Sequence, residues 1–278
     1  MKEAIGIFDS GVGGLTVVKE AIKTLPNENI LYFGDTARVP YGSKTPEEIL
    51  TIVREIIDWM LGFKVKAIAM ACNTSSALAL ETVKKEYPVP IFGLIKPTAY
   101  HISSQDKNVK KVGVIATEAT IKSKAYSKEI NKFRPDIEVF ETACPGLVEI
   151  IESGQINTIA AQAFLKDLLD PMMKKNVDKI ILGCTHYPFA AEVITNLYKK
   201  ENLLINPAAF MVKEIKEALE SARLLNGFNP NADKQFYVSA APIQFAKVGS
   251  TLLPDILTTN NVKVELVGDQ PIYQNMAG

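Results

Sequence analysis

The sequence predicts an α/β protein made of two similar domains, each with a mainly parallel sheet. Short apolar runs, typical of strands buried on both faces, alternate with segments whose apolar residues recur near the helical period. The pattern also repeats, because each half begins with a glycine-containing strand and later has an apolar strand that ends in cysteine. Ligands bind beyond the carboxyl ends of parallel strands, so we expect the active site in the cleft between the domains.

The predicted elements follow this alternation along the chain. Strands are expected in the first half at Ala4–Phe8, Ile30–Phe33, Ala67–Ala71 and Pro90–Ile95, and in the second half at Lys111–Ala116, Ile137–Glu141, Lys179–Gly183 and Leu203–Ile205. Two further strand patterns, expected to return to the first half, are Gln235–Ser239 and Val262–Val267. Helix patterns cover Pro46–Leu61, Ser76–Glu86, Lys122–Phe133 and Thr158–Met173.

The internal repeat sets the expected domain limits. The strand I-G-I-F-D from Ile5 resembles V-G-V-I-A from Val112, and A-I-A-M-A-C-N-T corresponds to K-I-I-L-G-C-T-H. We therefore predict a first domain at 1–96 plus 208–278 and a second domain at 97–207. Pro97 and the Asn206-Pro207 pair mark the crossovers between them.

Composition excludes several classes of protein. Lys plus Arg and Asp plus Glu both number 31 in the 278 residues, so charge gives no case for a nucleic-acid partner. No apolar run approaches the ~18 residues of a membrane span, and Asp9 interrupts the place where a signal peptide would be apolar, so we expect a cytoplasmic protein. The 3 Cys are widely spaced and there are only 2 His, which argues against disulfides and a metal site.

The two repeated cysteines are the main candidates for chemistry. Cys72 and Cys184 are both expected where a strand ends and a helix begins, facing each other across the cleft. A helix N-terminus favours thiolate, so we expect both to have a pKa below the usual ~8.5. A cysteine at a strand end is often an inert core thiol, but Cys-Asn-Thr at 72 to 74 and Cys-Thr-His at 184 to 186 favour function. Cys144, without such a motif, is interpreted as a buried small hydrophobe.

Three reactions or roles fit this pattern. Racemisation at an amino-acid α-carbon needs one base and one acid on opposite sides, which two facing thiols provide without a cofactor, and no cofactor motif is visible. A Cys-dependent hydrolase could use Cys184 with His186 but leaves Cys72 unexplained. A non-catalytic amino-acid binding protein is the third possibility.

Loops after the first, second and fifth strands add polar candidates. The stretch Asp9–Gly14 is expected to form a strand-to-helix turn, without the glycine spacing of a dinucleotide site or the lysine of a Walker motif. Its backbone N–H groups could hold a carboxylate. Asp9 itself is a helix cap or a catalytic carboxylate. The loop Gly34–Gly42 is a surface connection or brings Tyr41 and Gly42 to the site. Thr117 and Thr120 are helix caps or hold an amino acid.

The motifs together resemble the glutamate racemases of bacterial cell-wall synthesis. The matching segments are I-G-I-F-D-S-G-V-G-G-L-T-V, Y-F-G-D-T-A-R-V-P-Y-G, A-C-N-T, V-G-V-I-A-T-x-A-T-I-K-S-x-x-Y and I-L-G-C-T-H-Y-P-F, where x is a position outside the match, in order from Ile5 to Phe189. A weaker match, F-Y-V-S followed by P-x-x-F-x-x-V-G-S, covers Phe236 to Ser250.

The resemblance implies interconversion of L- and D-glutamate without cofactor or metal, in two α/β domains with the site between them. It implies Cys72 and Cys184 as the acid/base pair, one for each isomer, assisted by Asp9 and His186. It implies substrate contacts from Asp9, Ser10, Tyr41, Gly42, Asn73, Thr74, Thr117, Thr185 and His186. Glu152 falls near a family glutamate with a supporting role, and family members are often homodimers. Aspartate racemase, which shares the two-cysteine logic, is the related alternative.

The chain departs from the family outside the thiol motifs. Lys96 and Thr98 replace an acid and a glycine, Asn206 replaces a common aspartate, and C-P-G-L-V-E begins at Cys144 where the family has C-P-L-F-V-P. These positions lie at expected crossovers and surfaces. They bear on domain motion, oligomer contacts and regulation rather than on the thiol chemistry.

Overall fold

The protein folds around two sheets in which every strand pairing is parallel, which confirms the predicted α/β class. The computed structural model describes residues 3–105, 107–252, 254 and 264–266. The first sheet has the order β10-β9-β2-β1-β3-β4, with strands β1 (Ala4–Asp9), β2 (Asn29–Gly34), β3 (Ala67–Met70), β4 (Ile91–Gly93), β9 (Lys234–Val238) and β10 (Val264–Leu266). The second has the order β6-β5-β7-β8, with strands β5 (Lys111–Ala116), β6 (Glu138–Ala143), β7 (Lys179–Gly183) and β8 (Leu204–Ile205).

Helices cover the faces of both sheets, as parallel sheets require. Those of the first half of the chain are α1 (Leu15–Thr24), α2 (Pro46–Gly62), α3 (Asn73–Leu78), α4 (Leu80–Glu86) and α5 (Ile95–Gln105). The rest are α6 (Glu118–Ser123), α7 (Ala125–Phe133), α8 (Leu147–Glu152), α9 (Ile159–Met173), α10 (Ala191–Tyr198), α11 (Pro207–Ser221) and α12 (Pro242–Leu252). In the described part of the chain, no helix is long and apolar enough to cross a membrane.

The core of the first sheet forms on its two faces from alternating strand residues. Ile5 and Ile7 of β1 pack on one face with residues of α1 and α11, whereas Phe8 packs on the other with residues of α2 and α4. The helix α2 begins where the sequence provides a capping box. The Thr45 side chain accepts the N–H of Glu48, and the Glu48 carboxylate accepts the N–H of Thr45.

Two helices, α5 and α11, connect the sheets. The helix α5 leads from β4 to β5 and packs against α7, while α11 leads from β8 to β9 and packs against α1. They also pack against each other, with the rings of His101 and Phe210 stacked at 4.0 Å between centroids. Asn206 caps α11, because its Oδ1 accepts the N–H of Ala208 at 3.1 Å. The expected crossovers near Pro97 and Pro207 therefore fall in or at these helices.

Several predicted limits differ from the structure. The strand expected at Pro90–Ile95 stops at Gly93, because Ile95 already begins α5. The helix expected at Lys122–Phe133 is interrupted at Lys124, which has a φ of 58° and separates α6 from α7. The helix expected at Ser76–Glu86 is likewise two helices, separated at Ala79. Of the strand pattern Val262–Val267, residues 262, 263 and 267 lie outside the described residues.

Candidate active site

A cavity of about 430 Å³ lies at the carboxyl ends of both sheets and is lined from both. Its walls include residues that end or directly follow β1, β3, β5 and β7, the position at which parallel sheets bind ligands. Of the site residues predicted from the sequence, Thr120 is not in its lining; those that line it are Asp9, Ser10, Tyr41, Gly42, Cys72, Asn73, Thr74, Thr117, Cys184, Thr185 and His186. Glu152 and Cys144 line it as well.

Cys72 reaches this cavity from the first sheet. It follows β3 and precedes α3, has extended backbone angles, and is 6 % exposed. Burial raises its pKa to about 12, and the carboxylate of Asp9 acts in the same direction, while Ser75 acts against them. The expectation of a lowered pKa at Cys72 is therefore wrong. Helix α3 has only 6 residues, and desolvation of the thiolate outweighs the effect of so short a helix.

Cys184 reaches the cavity from the second sheet, directly after β7. Its Sγ atom lies 3.8 Å from Nδ1 of His186, and Nε2 of the same ring lies 2.9 Å from Oε1 of Glu152. The next element along the chain is a 3-10 turn, Tyr187–Ala190, rather than the α-helix that the sequence suggested. The sulfur thus has an imidazole beside it, and a carboxylate orients that imidazole from behind.

The His186 imidazole is held in its protonated form. Burial alone would lower its pKa, but the contacts with Cys184 and Glu152, with the nearby charge of Asp9, outweigh burial and raise the pKa to about 10. The ring is only 5 % exposed. At neutral pH a buried cation therefore lies beside the Cys184 sulfur.

Asp9 is a buried carboxylate at the junction of the two sheets. Its Oδ2 atom accepts the N–H of Gly14 at 2.5 Å and the hydroxyl of Thr185, from the opposite sheet, at 3.4 Å. Burial raises its pKa, while His186 and backbone N–H groups of Ser10 and Gly14 act against that rise. The side chain accepts a hydrogen bond at the start of α1, as the helix-cap alternative predicts, and it also lines the cavity.

Hydroxyl groups from both sheets meet on another wall of the cavity. Oγ1 of Thr74 lies 2.9 Å from Oγ1 of Thr117 and 3.3 Å from that of Thr120. Thr117 is also the N-cap of α6, which confirms the capping role, and its side chain lines the cavity. The side-chain oxygen of Asn73 accepts the hydroxyl of Tyr126 at 2.6 Å, which fixes the direction of its amide. These groups offer neutral hydrogen bonds to a polar ligand.

Asp35, which the sequence did not single out, organises the loop that carries Tyr41. Its Oδ2 accepts Nε–H of Arg38 and the hydroxyl of Tyr41, both at 2.6 Å, and its Oδ1 accepts the hydroxyl of Ser239 at 2.8 Å. The carboxylate is fully buried. Asp35 therefore connects this loop to the chain segment after β9. The only sequence signal for this role is the closeness of Asp35 to Arg38 in the motif G-D-T-A-R.

Two glycines let the sheets approach each other at the cavity. A Cβ atom on Gly13 would lie 2.5 Å from Cε1 of His186 and 2.7 Å from Oγ1 of Thr185. A Cβ atom on Gly42 would lie 2.9 Å from Cβ of Thr117. All of these distances are shorter than real side chains permit. Glycine at these positions is required by contacts between chain segments that are far apart in sequence.

The charge lining the cavity is acidic. Among the described residues that line it, none is Lys or Arg, whereas Glu118, Glu149 and Glu152 all contribute.

The described part of the chain also has no group of His, Cys, Asp and Glu that could hold a metal ion. Cys144, expected to be a buried small hydrophobe, packs in the core of the second sheet, and burial raises its pKa to about 12.

Comparison with known proteins places the chain among racemases. The family model for Asp/Glu/hydantoin racemases matches residues 10–215. The glutamate racemase of Trichodesmium erythraeum is 43% identical, over 92% of this chain and 94% of its own length. Two solved structures each cover 96% of this chain with 98% of their own: a Bacillus anthracis glutamate racemase isoform (32% identical, TM-score 0.89) and the Francisella tularensis glutamate racemase in complex with D-glutamate (36% identical, TM-score 0.87).

Proposed function

The chain belongs to the Asp/Glu/hydantoin racemase family, and we propose that it is a cofactor-independent glutamate racemase using two thiols. The observation that carries the mechanism is the placement of Cys72 and Cys184 on one cavity, each at the end of a corresponding strand in a different sheet. We propose glutamate rather than aspartate as the substrate, because the relatives above 40% identity are glutamate racemases.

The reaction is a proton exchange at the α-carbon. One cysteine, as thiolate, removes the α-proton and becomes a thiol, leaving a planar carbanion whose charge spreads into the carboxylate. The other cysteine, as thiol, donates its proton to the opposite face and becomes a thiolate. The product is the mirror image of the substrate, no atom is gained or lost, and the roles of the thiols are exchanged.

Burial and the nearby Asp9 carboxylate favour the neutral thiol form of Cys72. The Cys72 pKa of about 12 keeps that thiol protonated, and the His186 cation lies beside the Cys184 sulfur. In this proposal Cys184 acts as the base for one enantiomer and Cys72 for the other. Asp9 and His186 assist the two proton transfers. The anionic Asp9 lies near Cys72, and the cationic His186 lies beside Cys184.

Neutral donors bind the substrate in this proposal. Backbone N–H groups and polar side chains at Ser10, Tyr41, Gly42, Asn73, Thr74, Thr117 and Thr185 hold its carboxylates and amine, with Asp9 and His186. Donors placed at the α-carboxylate stabilise the charge that develops there on proton removal. Such preorganised stabilisation compensates for an α-proton that is far less acidic than a thiol.

The proposal extends to the setting of the enzyme. D-Glutamate from this reaction serves peptidoglycan synthesis and therefore cell shape. The enzyme acts in the cytoplasm, a reducing compartment in which its three unpaired cysteines stay reduced. The chain divides into a domain at 1–96 plus 208–278 and a domain at 97–207, and it forms a homodimer. Light scattering after size exclusion tests the dimer, and limited proteolysis near residues 97 and 207 tests the division.

Circular dichroism of L-glutamate, D-glutamate and L-aspartate incubated with the protein tests the function. We expect the signals of both glutamate enantiomers to decay to zero, and that of aspartate to persist. Decay with aspartate alone would make the chain an aspartate racemase. Constant signals with all three would overturn the racemase proposal, and trapping of an acyl group on Cys184 by an activated ester would then favour a Cys-dependent hydrolase.

A further inference from the structure

Three consecutive hydroxyl side chains begin helix α3, directly after Cys72 and Asn73, and one of them differs from its neighbours. Thr74 hydrogen-bonds to Thr117, and Ser76 donates to the carbonyl oxygen of Met70 at 3.1 Å. Ser75 Oγ is buried and, within the described part of the chain, has no hydrogen-bond partner. The residue as a whole is 0% exposed.

A buried hydroxyl without a partner costs stability, so its presence needs a reason. Cys72 is the N-cap of α3, and Ser75 is the third residue of the helix. Residues three apart are neighbours on one face of a helix, so the Ser75 side chain lies on the same side of α3 as Cys72. In the structure the N–H and the hydroxyl of Ser75 are both close enough to Cys72 to oppose the rise in its pKa.

We propose that the Ser75 hydroxyl is a positioning group for catalysis, which donates a hydrogen bond to the Cys72 sulfur when that sulfur becomes a thiolate. This inference rests on the proposed two-thiol reaction. The hydroxyl has little to bind while Cys72 is a neutral thiol, because a thiol sulfur is a weak acceptor. The thiolate formed in each turnover is a strong acceptor, so the bond forms when the charge does.

The two thiols then have different partners. Cys184 has the His186 imidazole at 3.8 Å, backed by Glu152, whereas Cys72 lies near the Asp9 carboxylate, whose charge disfavours a thiolate. The Ser75 hydroxyl is a neutral donor whose hydrogen bond strengthens when Cys72 ionises. It therefore offsets the effect of the Asp9 charge without a second cation. Ser75 thus supports the step in which Cys72 carries the negative charge, in either direction of the reaction.

The test is the rate at which iodoacetamide alkylates Cys72 in Ser75→Ala, measured by mass spectrometry of its peptide, with Cys184 of the same molecule as reference. Below the pKa this rate follows the thiolate fraction. We expect the ratio of Cys72 to Cys184 labelling to fall about tenfold, the size expected from losing one hydrogen bond to a charged group. We expect Ser75→Thr, which keeps a hydroxyl, to restore the ratio.

Turnover and stability separate this role from a packing role. In Ser75→Ala we expect kcat/KM to fall about tenfold for both enantiomers, since the equilibrium between mirror images fixes the two values as equal. We expect its melting temperature to equal or exceed that of the wild type, because an unpartnered polar group has been removed. A purely spatial effect would instead leave Cys72 labelling unchanged or faster, through the added room, and that result would overturn the proposal.

The outcomes also separate this inference from the proposed function. If the wild type racemises glutamate while Ser75→Ala labels and turns over like the wild type, only the role of Ser75 is refuted. If the wild type fails to racemise glutamate, the proposed function is refuted regardless of the labelling ratio.

Discussion

The Sγ atom of Cys184 lies 3.8 Å from Nδ1 of His186, and this contact makes the two cysteines of the cavity chemically unequal. The imidazole is cationic at neutral pH, because its pKa is about 10. Cys72 has the opposite surroundings: burial raises its pKa, and the negative charge of the Asp9 carboxylate raises it further. In the proposed two-thiol mechanism, the two thiolates are therefore stabilised by different means.

The first prediction concerns the titration of His186, which proton NMR can follow because the chain has only 2 His. We expect one ring to titrate near pH 10 and the other, His101, below its usual 6.5, because burial lowers the His101 pKa. His186 is then charged below about pH 10 and neutral above it. Glu152→Gln should lower the higher value, since it removes a negative partner, and should leave His101 unchanged. Two rings titrating at or below 6.5 would refute this assignment.

The second prediction concerns the close approach of the sheets at Gly13. In Gly13→Ala the new methyl group would meet His186 and Thr185 at distances that no real contact allows, so the His186 imidazole must shift. Because a displacement of about 1 Å can cost about 100-fold in rate, we expect a loss of that order in kcat/KM. Gly62→Ala is the matched control, since nothing lies within 4 Å of its added Cβ. Equal activity of the two variants would contradict the interpretation.

The third prediction concerns Asp35. Asp35→Asn keeps the shape but offers one acceptor oxygen to three donors, from Arg38, Tyr41 and Ser239. Breaking a buried charge pair of this kind costs about 3–5 kcal/mol, so we expect a clear loss in the free energy of unfolding by urea. We also expect KM for glutamate to rise more than kcat falls, because the loop of Tyr41 and Gly42 is proposed to bind substrate. Ser239→Ala, which removes one donor, should show the smaller effect in both assays.

The fourth prediction concerns the acidic lining of the cavity. The substrate carries a net negative charge, and Glu149 lines the cavity, where the family has proline. We expect Glu149→Gln to lower KM for glutamate about two- to threefold at low salt, and added salt to reduce the difference by screening. Glu138→Gln is the control, because Glu138 lies at the amino end of β6, away from the cavity. A KM that rises in Glu149→Gln would contradict this account.

The fold and the site motifs were accessible from the sequence because their signals are local. Buried parallel strands are short continuous apolar runs, and polar residues directly after them must lie at one edge of the sheet. That is why Cys72, Thr117 and Cys184 could be assigned to a common cavity. The family resemblance then supplied the residues that simple strand patterns leave ambiguous, such as Ser10 and Tyr41.

The remaining features depend on contacts between distant parts of the chain. The bond from Ser239 to Asp35 joins β-strand ends that are far apart in sequence, and the need for glycine at Gly13 comes from His186 in the other sheet. The direction of the Cys72 pKa shift also depends on tertiary burial. A helix N-terminus was visible in the sequence, but the desolvation that outweighs it was not.

The most direct test of the two-thiol mechanism is the fate of deuterium in D₂O at early times, followed by proton NMR and mass spectrometry after chiral separation. Starting from L-glutamate, we expect every D-glutamate molecule formed to carry deuterium at the α-carbon, while the remaining L-glutamate keeps its proton; the mirror result should hold from D-glutamate. Separate groups then remove and supply the proton. Protium retained in the product, or deuterium entering the remaining substrate as fast as the product, would mean that a single group does both and would contradict the roles proposed for Cys72 and Cys184.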